Sequence, residues 1–339
     1  MGPRYVGRKV IQAIITIGFV LLLNFLLFRM MPGSPDRILY RNPRMTPATR
    51  EAIVARWGLD KPLLPLDVSF DPPSLQVNPA NQLFAYVGST VQGDLGLSFA
   101  YRDRQVTEVI GARFWPTIIL IGLAEVIAIF VGLTLGSAAG WRRGGKLDRV
   151  GNGLSLILYS MPYFVIGMPL IIIFAVELGW FPTSGMLSPG ARFQSPVDQL
   201  LDFLHHLVLP LATVSLGLIG GYSILMRSSI IETRSEDYVT TARAKGLTDR
   251  SILRQHAFPN ALLPTVTVIA INLGYVVAGA ITAEIVFNWP GLGTLTVEAL
   301  QARDYPVLQG IFLLISIAVI FANLVADLVY GRLDPRVRA

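Results

Sequence analysis

The sequence has no cysteine and only three histidines, His205, His206 and His256. Disulfide frameworks, thiolate metal sites and cysteine nucleophiles are thereby excluded. Little material remains for imidazole chemistry. Charge is scarce as well: Asp, Glu, Lys and Arg make up 15% of the 339 residues, against about a quarter in soluble domains. Hydrophobic residues make up 53%. That balance argues against a soluble enzyme and for a chain that lives mostly in lipid. The formal net charge is +6. In a membrane protein such an excess reflects basic loops against anionic lipid, not nucleic acid.

What is abundant is the long apolar run. The first, Val10 to Met31, follows Arg4, Arg8 and Lys9. A basic start before an apolar stretch fits a signal peptide. The run is, however, long enough to cross the roughly 30 Å hydrocarbon core, and no small-x-small cleavage site follows it. It reads as a retained span. Five more runs have spanning length: Thr117–Gly140, Gly153–Leu178, Leu207–Met226, Leu262–Val286 and Leu308–Tyr330. The expected fold class is an all-α polytopic membrane protein of six helices. It is a single domain over 1–339, with a first helix at 10–31 and a five-helix core over 117–330.

Loop charge sets the expected orientation. Arg142, Arg143, Lys146 and Arg149 lie between spans two and three. Arg227, Arg234, Arg243, Lys245, Arg250 and Arg254 lie between four and five, and Arg332, Arg336 and Arg338 in the tail. The alternate short loops carry only Arg192 and Arg303. The positive-inside rule places both termini and the basic loops in the cytoplasm, and the long region 33–113 outside. In that region Thr46-Pro47 reads as a helix start, with Ile53, Val54 and Trp57 on one face and Gly58 as a stop. Pro62 to Pro79 holds five prolines and reads as an extended loop. No internal repeat at a short period is visible.

Candidate chemistry is sparse. Gly140 to Leu147 nearly spells a phosphate-binding loop, but Leu147 stands where Ser or Thr would hold magnesium, and no strand precedes it. It reads as a basic turn. His205 and His206 are adjacent, so they do not share a helix face, and they read as interfacial residues. No G-x-S-x-G or H-E-x-x-H occurs, which leaves intramembrane hydrolysis unsupported. Glu125 lies inside span two, where a carboxylate is a functional candidate by default. A hydrogen-bonded acid between helices is the plainer reading, and a proton-coupled carrier stays open beside it. Gly132, Gly136 and Gly140, and Gly217 and Gly221, recur at four-residue spacing, a signal for close helix packing.

The loop 235–259 is more informative. Ser235 to Gly246 reads as one short helix: Ser235 as cap, Glu236 and Asp237 in the first turn, Arg243 and Lys245 in the last, Gly246 as left-handed stop. It is about 16 Å long. A rigid lever and a membrane-surface connector both fit that description.

At this point the chain resembles a known family. Thr240-Thr241-Ala242, Gly246 and His256-Ala257-Phe258-Pro259 keep the spacing E-A-A-x3-G-x9-I-x-L-P. That pattern marks the membrane subunits of bacterial ABC importers. The wording around Asp237–Leu247 is similar to the dipeptide, oligopeptide and nickel branch. The resemblance extends to Pro32-Gly33-Ser34-Pro35, Gly58 to Pro62, Gly93-Asp94-Leu95-Gly96, Glu284 to Gly293 with Pro290 and Gly291, and Asp327 through Leu333-Asp334-Pro335-Arg336. The retained first span and large external loop resemble the first of that branch's two permease subunits. Leu63 to Gln82 departs from the pattern, being Pro-rich and longer.

The resemblance implies a transport subunit in the bacterial inner membrane with no catalytic site of its own and no cofactor. ATP and magnesium would sit on two partner ATP-binding subunits. A second, homologous permease would complete a heterodimer, and an extracytoplasmic solute-binding protein would deliver cargo. Di- and oligopeptides are the expected substrates, with nickel or another small solute as alternatives. Glu236, Asp237, Tyr238, Thr241, Ala242, Arg243, Ala244, Lys245 and Gly246 would couple to the ATPase, Ala242 by allowing its close approach. Gly93, Asp94, Gly96, Glu284, Pro290, Gly291 and Gly293 would be external signatures. Outside the resemblance, an ion-coupled secondary carrier predicts intramembrane charge and an inverted repeat, and a membrane enzyme predicts a polar catalytic set.

Overall fold

The structure, a computed structural model, describes residues 3–30, 61–63, 66–70, 73–77, 81–101 and 104–333, together with Pro47, Glu51 and Val54. Among the described residues, five helices are long and apolar enough to cross a membrane: Tyr5–Arg29, Val106–Trp141, Pro196–Arg234, Asp249–Ala278 and Tyr305–Leu328. A bent pair, Lys146–Ser160 and Tyr163–Glu177, with 104° between its halves, is a broken sixth span or a re-entrant loop. With the bent pair taken as one span, these candidates match the six apolar runs, but two of the runs and the Pro-rich stretch behave differently from expectation.

The run Gly153–Leu178 is not one helix. Pro162 has no N–H to continue the ladder, and it drives the preceding residue out of the helical region. Met161 is accordingly extended at φ −83°, ψ 129°. The run Leu262–Val286 is broken too. Its helix Phe258–Tyr275 tightens into a single turn at Val276–Ala278, stops at Gly279 with φ 75°, and restarts as Ile281–Val286. The Pro-rich stretch is not a plain loop either. Leu66–Phe70 and Pro73–Val77 pair antiparallel as a hairpin, with Leu66 opposite Val77 and Val68 opposite Leu75. The fold is thus helical with one added hairpin. Pro47, Glu51 and Val54 are helical. The rest of the helix expected from Thr46 to Gly58, together with Pro32–Pro35 and Asp334-Pro335-Arg336, lies outside the described residues.

Contacts divide the chain into two compact units. The first comprises Met1–Val10, Pro116–Thr294 and Phe321–Ala339. One apolar cluster joins Leu120, Ile121 and Ala124 to Leu207, Val214, Val276, Ala283 and Trp289. A second joins Leu133 to Met226, Ile230, Ala257 and Ala261. Both tie the second, fourth and fifth spans together. Lys9 also reaches Asp327 at 2.7 Å, and the Tyr5 hydroxyl donates to the Asp327 carbonyl.

The second unit comprises Ile11–Trp115 and Leu295–Ile320. The helix Gln82–Val91 begins on Asn81, whose side chain accepts from Phe84 N–H. It ends in a turn where Gly93 and Gly96 have φ 79° and 85°, and the Asp94 carboxylate accepts the Gly96 N–H at 3.0 Å. Buried Asp304 accepts from Ser98 Oγ at 2.5 Å and from Phe99 and Ala100 N–H at 3.0 Å. Asn24 donates to the Tyr86 hydroxyl and to the Gln309 carbonyl.

Candidate functional site: a clamped short helix and a cavity at a broken span

The short helix is real but smaller than its sequence suggests. It runs Asp237–Ala244, with Glu236 at the cap position and no side-chain capping bond. Ser235 instead ends the preceding helix, its hydroxyl donating to the Glu232 carbonyl. Eight residues give a rod of about 12 Å. Gly246 has φ 80° and closes it with N–H to the Arg243 carbonyl at 2.9 Å.

One face of this helix is fastened to its own chain. Val239 and Ala242 are buried with Ile252, against Trp141. Trp141 ends the second span and receives two cations: the guanidinium carbons of Arg234 and Arg243 lie 5.8 and 5.6 Å from its ring centroid. Arg234 also donates to the Trp141 carbonyl at 2.9 Å. The ends of spans two and four are thus clamped to the short helix and to Asp249–Ile252, the start of span five. Asp237, Tyr238, Thr240, Thr241, Arg243, Ala244, Lys245 and Gly246 form the exposed face. Partial burial, with the Glu236 charge second, pushes the Tyr238 phenol above its ordinary pKa, so it stays neutral. Ala242 does not stand on the exposed face, which corrects its expected role: at 5% exposure it packs inward. Trp141, Val239, Ile252 and Arg234 were invisible as a clamp in the sequence, because their partners come from three separate elements.

The break in the third span opens a cavity of about 710 Å³. It is lined by Tyr159, Met161, Pro162 and Tyr163 at the bend, by Gly221 and Tyr222 of the fourth span and by Asn272 of the fifth. Among the described residues no charged side chain lines it. Met161 is 40% exposed. Non-helical backbone at membrane depth is tolerated where it lines a water-filled space or is covered by protein.

The glycines place helices at contact distance. A Cβ on Gly132 would lie 2.6 Å from Tyr222 Cβ, and one on Gly140 2.7 Å from the Arg227 carbonyl oxygen. One on Gly136 would overlap the Ser223 carbonyl oxygen. Gly217 and Gly221 meet the rings of Tyr163 and Tyr159. The tightest backbone approach in that span is at Gly220, where an added Cβ would lie 2.5 Å from the Ser155 carbonyl oxygen, and which a four-residue pattern does not select.

Glu125 is 2% exposed. It accepts a hydrogen bond from the Tyr222 hydroxyl, which in turn accepts from Asn272 Nδ2 at 2.9 Å. This is a satisfied acid between helices. Glu125→Gln keeps the volume and a carbonyl acceptor. Transport by the assembled complex is expected within about twofold of wild type with an unchanged pH profile. Abolished uptake in a normally assembled complex, or altered proton dependence, would favour a proton-coupled carrier.

Glu284, read as an external signature, is fully buried. It accepts from Thr117 Oγ1 at 2.9 Å and Thr294 N–H at 2.9 Å. Side chains on Gly279, Gly291 or Gly293 would collide with its carboxylate. Trp289 Nε1 donates to the Pro116 carbonyl at 2.9 Å. The glycines around Glu284 therefore serve a structural clasp, with Pro290 in the turn between Trp289 and Gly291. In the turn after Trp141, Gly144 N–H donates to Asp148 at 2.8 Å, so that donor is occupied by the chain's own carboxylate. Asp148 also holds Arg227 through contacts of 2.5 and 3.1 Å. His205 Nε2 contacts the Trp180 carbonyl at 2.7 Å, and His206 Nδ1 the Asp202 carbonyl at 2.8 Å. Asp202, one turn before His206, was overlooked in the sequence.

Residues 132–339 match the family described as the binding-protein-dependent transport system inner membrane component. A protein of Brucella suis biovar 1 named as a peptide permease is 38% identical over 331 residues, covering 96% of this chain and 97% of its own. The glutathione transport system permease protein GsiC of Escherichia coli K12 is 35% identical over 334 residues, covering 98% of each. Among solved structures, a chain of the MetNI methionine ABC transporter in inward-facing conformations superposes with a TM-score of 0.55 at 18% identity, covering 68% of this chain and 98% of its own. The long apolar helices, the clamped short helix and these matches lead to one conclusion: the chain belongs to the inner-membrane permease components of binding-protein-dependent ABC importers.

Proposed function

We propose that this permease carries di- and oligopeptides, pairing with a second, homologous permease to enclose the path. Two ATP-binding subunits hold ATP and magnesium on the cytoplasmic side, and a solute-binding protein delivers cargo outside. The observation that carries the mechanism is the clamp on the helix Asp237–Ala244. Its inner face is bound to Trp141, Ile252 and the end of span four, while its outer face is exposed. A push on the outer face then moves three span ends together as one body. The spans switch between inward- and outward-open states, driven by free energy released on the partner subunits. The names of the relatives support peptides as cargo.

This reading places Arg243 and Lys146 inside and Asp94 outside. The chain has no native cysteine, so single-cysteine variants at these positions report orientation with an impermeant thiol reagent on intact cells. Labelling is expected at position 94 and absent at 243 and 146. External labelling at 243 would overturn the topology. Cargo is tested by uptake of a peptide panel with the purified binding protein. Competition by dipeptides is expected, and indifference to every peptide would refute the peptide assignment.

A further inference from the structure

The cavity at the break of span three is mostly apolar, with a few uncharged polar side chains in its lining, and one of these has a fixed direction. The Tyr222 hydroxyl has a single proton and gives it to Glu125. It can therefore only accept from Asn272, and Asn272 turns its NH2 end towards it at 2.9 Å. Asn272 belongs to the cavity lining, and its amide carbonyl has no hydrogen-bond partner among the described residues. We propose that Asn272 is a cargo-contacting residue of this permease: its carbonyl accepts a hydrogen bond from amide or ammonium N–H groups of the passing solute, with Tyr222 and Glu125 as positioning residues.

Three observations support the assignment. First, the cavity lies at the break in the helix, where Met161 leaves the helical conformation and lines the space. Secondly, its lining carries no charge that would hold a zwitterionic solute too tightly to release. Neutral acceptors and aromatic hydroxyls, from Tyr159 and Tyr163, give weak and reversible contacts. Thirdly, an isolated acid buried behind the wall is otherwise an expensive residue in a membrane span. Its role as the acceptor that sets Tyr222, and through it Asn272, accounts for its place. The proposal deepens the peptide reading and rests on it.

The test uses the complete transporter, with its ATPases and binding protein, in proteoliposomes. The probes are a dipeptide with a free amino terminus and its N-methylated analogue, which offers fewer N–H donors. Asn272→Leu keeps the bulk and removes the acceptor. Dipeptide uptake is expected to fall about tenfold, uptake of the analogue to change by less than about threefold, and cargo-stimulated ATP hydrolysis to stay within about twofold. Tyr222→Phe keeps the wall but frees the amide to rotate, and it is expected to blunt the same selectivity. In a third measurement, thiol labelling of Ser228→Cys, at the cavity edge, should be slowed by the dipeptide.

Wild-type selectivity in Asn272→Leu would overturn the proposal. So would equal loss of both probes together with lost ATPase stimulation, since that marks a structural role. Absence of ATP-dependent dipeptide uptake by the wild type would refute the peptide reading itself, a distinguishable failure.

Discussion

Gly136→Val is expected to abolish accumulation of folded permease. A side chain at this position would overlap the Ser223 carbonyl oxygen and lie 2.9 Å from Met226 Cβ. Backbone cannot yield as a flexible side-chain end can, so the second and fourth spans must separate. Overpacking of a tight core costs about 1–3 kcal/mol, and more where backbone must move. Separation here also opens the cluster of Leu133, Met226, Ile230, Ala257 and Ala261. Gly132→Val and Gly140→Val should behave similarly, with contacts of 2.6 and 2.7 Å. Gly151→Val is the control, because a Cβ there meets nothing within 4 Å. The check is the monodisperse fraction and thermal transition of the detergent-solubilised protein. A wild-type transition for Gly136→Val would mean that these helices do not pack as described.

Ala242→Asp is expected to uncouple the transporter. The new carboxylate would be forced into the apolar pocket formed by Val239, Ile252 and Trp141, and Arg234 or Arg243 could meet it only by leaving the Trp141 ring that each now covers. An unpaired buried charge costs several kcal/mol, so the short helix should detach from its clamp before the spans unfold. ATP hydrolysis by the assembled complex is expected to persist while uptake falls at least about tenfold. Gly246→Val should give a milder form of the same defect. The space beside Gly246 is open, so the cost there is only that of φ 80° for a β-branched residue, about 1–2 kcal/mol. Lys245→Ala, on the exposed face, should leave the clamp and the protein's stability unchanged. The paired readings are cargo-stimulated ATPase rate and uptake. Full coupling in Ala242→Asp would show that the clamp transmits nothing.

Much of this architecture was legible in the apolar runs, because burying about 20 residues of apolar helix in lipid dominates every competing preference. The interruptions were harder to see. Pro162 and Gly279 sit inside runs that stay apolar enough overall to reach spanning length, so length alone reads each as continuous. Their local chemistry did carry the signal, a missing donor in one and tolerance of positive φ in the other. In the hairpin, Leu66-Asp67-Val68-Ser69-Phe70 alternates apolar and polar residues, and Leu75-Gln76-Val77 does the same. The flanking prolines masked a period of two. At the short helix, Gly246 was legible as a stop, while Ser235 was misread as a start because the preceding helix runs on to Arg234. Nothing local marks Ala242 as inward-facing or joins Tyr222 to Glu125 and Asn272. Those pairings span up to about 100 residues and exist only after the spans have packed.

The central claim is that solute movement through this chain is driven by ATP hydrolysed on partner subunits. The direct measurement is uptake into proteoliposomes containing the permease pair, both ATPases and the binding protein, with ion gradients collapsed by ionophores. The account predicts uptake that requires ATP and magnesium, needs every partner and is indifferent to the ionophores. Uptake by the permease alone along an imposed proton or sodium gradient, without ATP, would contradict it.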